Sequence, residues 1–220
     1  IAAQATQWQD TVDRYVQGGT RLLDSSLRSL ERHWPTLERA AERHQHPATE
    51  GQRRLWFLDR LTPGSATYNT VFQLSIHEPL DRAALVESIR WLMARHEALR
   101  TTFSPGEPEP TQTIHPPPTA WPLPQVDLTE LPAAARQQAL LRLAEQEARL
   151  PFSLESGPLM RTTLVCLSAE EHVLLLTLHH IIADGWSLGV LFRELGALYT
   201  AQRENRPADL PELAAQVVDI

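Results

Sequence analysis

Residues 173–187 read VLLLTLHHIIADGWS, and the organisation of the whole chain turns on them. From Val173 to Leu178 the run is apolar except for Thr177. Such a run suits a strand covered on both faces, where neither side has to be polar. It ends in His179 and His180, and Asp184-Gly185 follows. Strand side chains alternate between faces, so His179 and His180 cannot both enter one cavity. The end of a central strand beside a glycine turn is rigid on one side and open on the other, which favours a site. Asp184 can orient the turn through an ion pair or by bonding backbone amides. Gly185 permits a backbone conformation, or a close approach, that a side chain would block. Residue chemistry alone leaves two readings: a catalytic histidine pair, or one core histidine, one surface histidine and an ordinary Asp-Gly turn. A zinc site is poorly served, because adjacent histidines rarely bind one ion and Cys166 is the single cysteine.

Outward from this stretch, LMRTTLVCL (159–167) reads as a second strand, joined to the first by the polar turn 168–172. The two form an expected antiparallel pair. On the other side, Ser187 is positioned to cap a helix beginning LGVLFREL, and Pro207 and Pro211 break the chain beyond it. Upstream, TEGQRRLWFLDRL (49–61) predicts a helix capped by Thr49 with Leu55, Leu58 and Leu61 on one face. TYNTVFQLSIHEPL (67–80) alternates, with Tyr68, Phe72, Leu74 and Ile76 opposed to Gln73, Ser75 and His77, as in a half-buried strand. Asp81 precedes a helix whose Leu85, Ile89, Leu92 and Met93 form a core stripe, and 131–150 reads as another amphipathic helix. Between Ser104 and Gln125 lie eight of the 17 prolines. That density predicts an irregular surface excursion with a short edge strand at 112–114. Helices alternating with strands give an α/β fold with a mixed sheet flanked by helices.

Residues 1–46 have a different texture. They are charged and helix-favouring, with Gly18-Gly19 as a break and Leu23, Leu27, Leu30, Trp34 and Leu37 as an amphipathic stripe. A helical linker packed on the following domain and an element that docks another polypeptide both fit. His44 and His46 lack a third ligand at metal spacing and read as solvated linker residues. The boundary therefore falls at 46/47, with 47–220 as the folded unit.

With 220 residues the chain has room for one large domain or a domain plus an appendage. It is 42% hydrophobic and 21% charged, enough for a real core. A net charge of -7 argues against a general nucleic-acid or acidic-membrane binder. One cysteine excludes an internal disulfide and suggests a reducing compartment. With no apolar run of membrane-spanning length and no signal peptide, a cytoplasmic setting is expected.

HHIIADG (179–185) resembles the HHxxxDG signature of the condensation domains of nonribosomal peptide synthetases. Two further motifs of that family occur in the right order. TEGQRRLWFLDRL is similar to SxAQxRLWxL, with Thr49 for Ser and Gly51 for Ala, and RHEALRTTF (95–103) matches the second almost completely. GPLMR (157–161), before the hairpin, is also typical. The resemblance covers Pro47 to the end. It implies a chloramphenicol-acetyltransferase-like lobe, the N-terminal one of two that enclose a tunnel, so the C-terminal lobe would be absent from this chain and the isolated lobe inactive.

The resemblance implies the chemistry as well. The family joins an aminoacyl amine on a downstream carrier protein to an acyl or peptidyl thioester on an upstream one. Both arrive on 4'-phosphopantetheine arms, so no directly bound cofactor or metal is implied. The partners implied are peptidyl carrier proteins, adjacent synthetase modules and the second lobe. His180 is the catalytic residue by this resemblance. His179 and Asp184 support the loop, Gly185 offers its N–H near the thioester, and Arg54 is a candidate partner of Asp184. FLDRLTPGSATYN (57–69) is similar to condensation domains that join two L-configured units. The rival readings are a CoA-dependent acyltransferase of the same fold, an epimerisation domain, and a noncatalytic docking fragment.

Overall fold

The computed structural model describes residues 44–213 and 216, so the helical reading of the N-terminal stretch lies outside the described residues. Two strands organise the rest. β6 (Met160–Cys166) and β7 (His172–His179) pair antiparallel, with Leu164 opposite Leu174 and Met160 opposite Leu178, and every residue of both is buried. β2 (Asn69–Ile76) lies antiparallel on the other side of β7, and β5 (Gln125–Asp127) runs parallel to β6. The four-stranded sheet is therefore mixed, in the order β2-β7-β6-β5. β2 is its edge, which is why Phe72, Leu74 and Ile76 are half-buried while Gln73 and Ser75 face solvent.

Alternation along β7 divides the core into two layers. Leu174, Leu176 and Leu178 pack with α2 (Arg82–Arg95) and α4 (Gly185–Arg203), through residues such as Ile89, Met93 and Leu195. Val173 and Leu175 pack instead with Leu140 and Leu143 of α3 (Ala133–Arg149). Helices on both faces explain the nearly continuous apolar character of the strand. Full burial of each such leucine contributes about 1.5–3 kcal/mol. On this parity His179 belongs to the α3 layer, together with Thr177.

The helix starts are set locally. α1 (Glu50–Leu61) begins in a capping box, with the Thr49 N–H donating to Gln52 Oε1 at 2.9 Å and Thr49 Oγ1 accepting from the Gln52 N–H at 3.4 Å. Asp81 caps α2 by accepting from the Ala84 N–H at 3.0 Å. Leu61, expected on the packed face of α1, is 61% exposed, as is Phe57 at 57%. α4 starts one turn earlier than Ser187 predicts. Asp184 is its cap, and Asp184 Oδ1 accepts from both the Ser187 N–H (2.9 Å) and the Ser187 hydroxyl (2.7 Å). A carboxylate three residues ahead outcompetes the hydroxyl for the free N–H groups of the first turn.

The proline-rich segment departs from expectation. β4 (Thr111–Ile114) is not an edge strand; it is the middle of a second antiparallel sheet, β1-β4-β3, between β1 (His44–Pro47) and β3 (Thr101–Ser104). His44 and His46, expected in a linker, thus lie in a paired strand. Nor does the segment stay on the surface. Trp121 and Leu123 are buried, and the Trp121 indole N–H donates to Thr162 Oγ1 at 2.8 Å. Proline removes a ladder donor, but an extended chain that needs no ladder can still turn its non-proline side chains into the core.

The motif at 95–103 anchors α4. Arg95 Nε donates to Glu194 Oε2 at 2.9 Å, and His96 Nε2 bonds the same oxygen at 2.7 Å. Burial works to raise the Glu194 carboxyl, but the bonds from His96 and Arg95 outweigh it and hold the group below its ordinary value. A carboxylate this deep requires such partners.

Candidate active site

The two histidines part company at the end of β7. His179 is 2% exposed, whereas His180 is exposed to solvent. The His179 N–H donates to Leu159 O (3.0 Å) and the His180 N–H to Tyr68 O (2.8 Å), so the strand end is held from both sides. The His179 ring lies between Tyr68 and Phe152, with centroids 6.2 and 6.3 Å away. Its Nδ1 accepts from the Ile181 N–H at 3.1 Å, which folds the chain back after the strand. Burial, and then the neighbouring His180, push the His179 pKa down to about 4. The ring is thus neutral near pH 7, as an Nδ1 acceptor must be.

His180 has different surroundings. Its Nδ1 lies 2.9 Å from Ala183 O, and a carbonyl oxygen can only accept. Nδ1 therefore carries the proton, and in the neutral ring Nε2 presents a lone pair. A backbone oxygen three residues on sets the tautomer of an exposed imidazole. That arrangement suits a group that accepts a proton and passes it on.

Asp184 serves as the α4 cap already described. The pairing with Arg54 is not made: Arg54 is exposed on α1, and among the described residues no ion pair involves it. Gly185 has no left-handed backbone and no close neighbour, since a Cβ built there meets nothing within 4 Å. The chain itself does not require glycine at this position. Any requirement lies with something that approaches from outside, next to one of the first-turn N–H groups that the helix cannot satisfy.

The structure adds residues that sequence reasoning passed over. Arg161 of β6, the last residue of the GPLMR motif, is buried opposite Thr177 and bonds Glu147 of α3 (Nε to Oε2, 3.2 Å). Asn69, opposite His179, donates to Ala148 O at 3.0 Å and Leu150 O at 2.7 Å. The available signal was a charge inside an otherwise buried strand, which must find a partner. A cavity of about 680 Å³ lies elsewhere, between Trp91, Leu198 and Leu210. His180 does not line it.

Residues 42–217 match the family described as Condensation domain. The chain belongs to the condensation-domain family. It is 46% identical over 178 residues to one of the proteins that make up the linear gramicidin synthase of Brevibacillus parabrevis, covering 80% of this chain and 2% of that protein. It is 43% identical over 173 residues to phosphinothricin tripeptide synthetase PhsC of Streptomyces viridochromogenes, covering 79% of this chain and 16% of that one. Among solved structures, the first condensation domain of the calcium-dependent antibiotic synthetase, in complex with a substrate analogue, superposes with a TM-score of 0.69 at 28% identity. That match covers 76% of this chain and 39% of the other. The X-domain from teicoplanin biosynthesis gives 0.69 at 36% identity, covering 84% and 39%. The condensation chain thus spans about two-fifths of the structures it matches and a small share of the synthetases. The family's general activity is amide-bond formation between carrier-bound substrates, an acyl transfer. No helix among the described residues is long and apolar enough to cross a membrane.

Proposed function

We propose that this chain is the N-terminal lobe of a peptide-synthetase condensation domain and carries the residue that handles the proton in amide-bond formation. The observation that carries the reading is the exposed His180 ring with its proton fixed on Nδ1 by Ala183 O. The amine of a downstream carrier-bound aminoacyl group attacks the carbonyl carbon of an upstream thioester. The C–N bond forms, the ammonium proton passes to His180 Nε2, the C–S bond breaks, and the leaving thiolate takes up a proton. Gly185 would present its N–H beside the carbonyl. His179 and Asp184 hold the turn, by the acceptor to Ile181 and by the α4 cap.

A strong base is not needed. An α-amine has a pKa of roughly 7.7–8.0, so a useful fraction is neutral near pH 7. The thioester is already activated, and juxtaposition can be worth effective molarities of about 10⁵ M or more. Proton relay adds about 10²–10⁴-fold. Both substrates would arrive on 4'-phosphopantetheine arms of carrier proteins, in a cytoplasmic synthetase, with a complementary lobe closing the tunnel and both units of L configuration.

The test is His180→Ala in the intact synthetase with loaded carrier proteins. Condensation falls about 10²–10⁴-fold with an unchanged melting temperature. An unchanged rate refutes the assignment. Transfer from a free CoA thioester in preference to the carrier-bound one would favour the related acyltransferase chemistry. The teicoplanin X-domain is also solved in a complex with OxyB. A protein partner that binds the chain equally well with and without His180, with no amide formed, would favour a docking role.

A further inference from the structure

We propose that Arg161, neutralised by Glu147, is a positioning residue for the reaction at His180 and acts through Phe152 and His179. This rests on the condensation reading of His180. Arg161 is 6% exposed and Glu147 1%. Simple charge pairing would not need the rest of the arrangement. Arg161 Nη2 donates to Glu147 O (3.0 Å) and Leu150 O (2.8 Å), and Nη1 to Pro151 O (3.4 Å). The guanidinium therefore gathers the carbonyls where α3 ends and the chain runs into Phe152. Asn69 holds Ala148 O and Leu150 O from the β2 side. The Glu147 carboxylate is completed by hydroxyls from both central strands, Thr163 (2.9 Å) and Thr177 (3.4 Å).

Phe152 is the link. Its ring lies under the guanidinium, 3.8 Å from the Arg161 carbon to the ring centroid, and meets the His179 ring edge-on at an interplanar angle of 87°. Phe152 also lines a hollow of about 480 Å³ with Trp56, Asp59 and Arg60. It stands between that hollow and His179. The titratable groups around His179 are Tyr68 ahead of β2, His180 in the turn, and Arg161 with Glu147 behind Phe152. If Phe152 shifts, water reaches His179, the ring takes a proton more readily, and the edge-on packing that keeps Nδ1 aligned on the Ile181 N–H is lost. The turn that places Ala183 O against His180 then loses its first hydrogen bond.

The experiment uses the full chain, ¹⁵N-labelled, with Arg161→Lys and Phe152→Leu. Lysine keeps the charge facing Glu147 but lacks the planar fork that spans three carbonyls and stacks on the ring. Leucine leaves the ion pair intact and removes only the link. The expected result in both is a native circular-dichroism spectrum, a His179 proton affinity at least about tenfold higher by imidazole NMR titration, and loss of the single Nδ1–H tautomer of His180. In the synthetase that carries the chain, kcat for condensation falls about tenfold while KM for the loaded carrier proteins is unchanged, as expected for mispositioned chemistry. Parent-like His179 titration and a parent-like His180 tautomer in either folded variant overturn the proposal. If Arg161→Lys does not fold, Phe152→Leu alone decides it. Full activity of His180→Ala would instead refute the condensation reading, with the NMR readouts still judging the link.

Discussion

Acidifying the chain should selectively destabilise it through His179. The unfolded imidazole has a pKa of 6.5, and burial followed by the His180 charge lowers it to about 4 in the folded protein. Between those values the unfolded chain binds more protons than the folded one, so stability rises with pH across this window and is lost as pH falls. Above 6.5 both states hold a neutral ring and nothing is lost. Below about pH 4 the full difference is gone, about 3 kcal/mol, and at pH 5.0 the loss is about 2 kcal/mol. Carboxylates such as Glu194 also titrate, so the parent is compared with His179→Asn. Asparagine places an oxygen near the Nδ1 position and leaves the Ile181 N–H an acceptor, but it does not titrate here. Urea unfolding of both proteins at pH 7.5 and 5.0 measures the effect. The parent should lose about 2 kcal/mol more than the variant over this range. Equal losses would show that His179 is not held neutral by burial, and would undo the account of the turn.

Other outcomes follow from the same geometry. Asp184→Asn should change stability by only a few tenths of a kcal/mol, because asparagine caps a helix as well as aspartate, whereas Asp184→Ala costs about 1 kcal/mol in thermal unfolding. Gly185→Ala meets open space, so stability should hold or rise by up to about 1 kcal/mol. Condensation should nevertheless fall, since the added methyl stands where the thioester is proposed to approach. Arg161→Met alone strands the Glu147 carboxylate and costs about 3–5 kcal/mol by denaturant unfolding, more than the double change Arg161→Met/Glu147→Met. Leu143→Ala, at a wholly buried position under the sheet, costs about 2–5 kcal/mol by the same assay.

Whatever acts within a few residues or along one element was legible in the chain before it folded. The apolar run 173–178, interrupted by Thr177 alone, announced a strand covered on both faces, and two helical layers cover it. Thr49 and Asp81 were readable as caps because a cap reaches only three residues ahead. The ordered motifs also drew attention to 179–185, where β7 hands over to α4. Caps fail as predictors when two polar residues compete for the same N–H groups, which is why Ser187 looks like the cap where Asp184 acts. The remaining decisions belonged to tertiary structure. Alternation said that His179 and His180 must part, but only α3 and Phe152 on one face, and no such cover over His180 among the described residues, determine which is buried. Glu194 meets Arg95 and His96 across 99 and 98 positions, and Asp184 caps α4 instead of pairing with Arg54. The proline segment looked like surface because proline is a poor ladder partner. Trp121 turns inward to a partner, Thr162, that lies 41 residues away. Pairing of that kind is a property of packed layers, which bring together groups that local chain preferences cannot foresee.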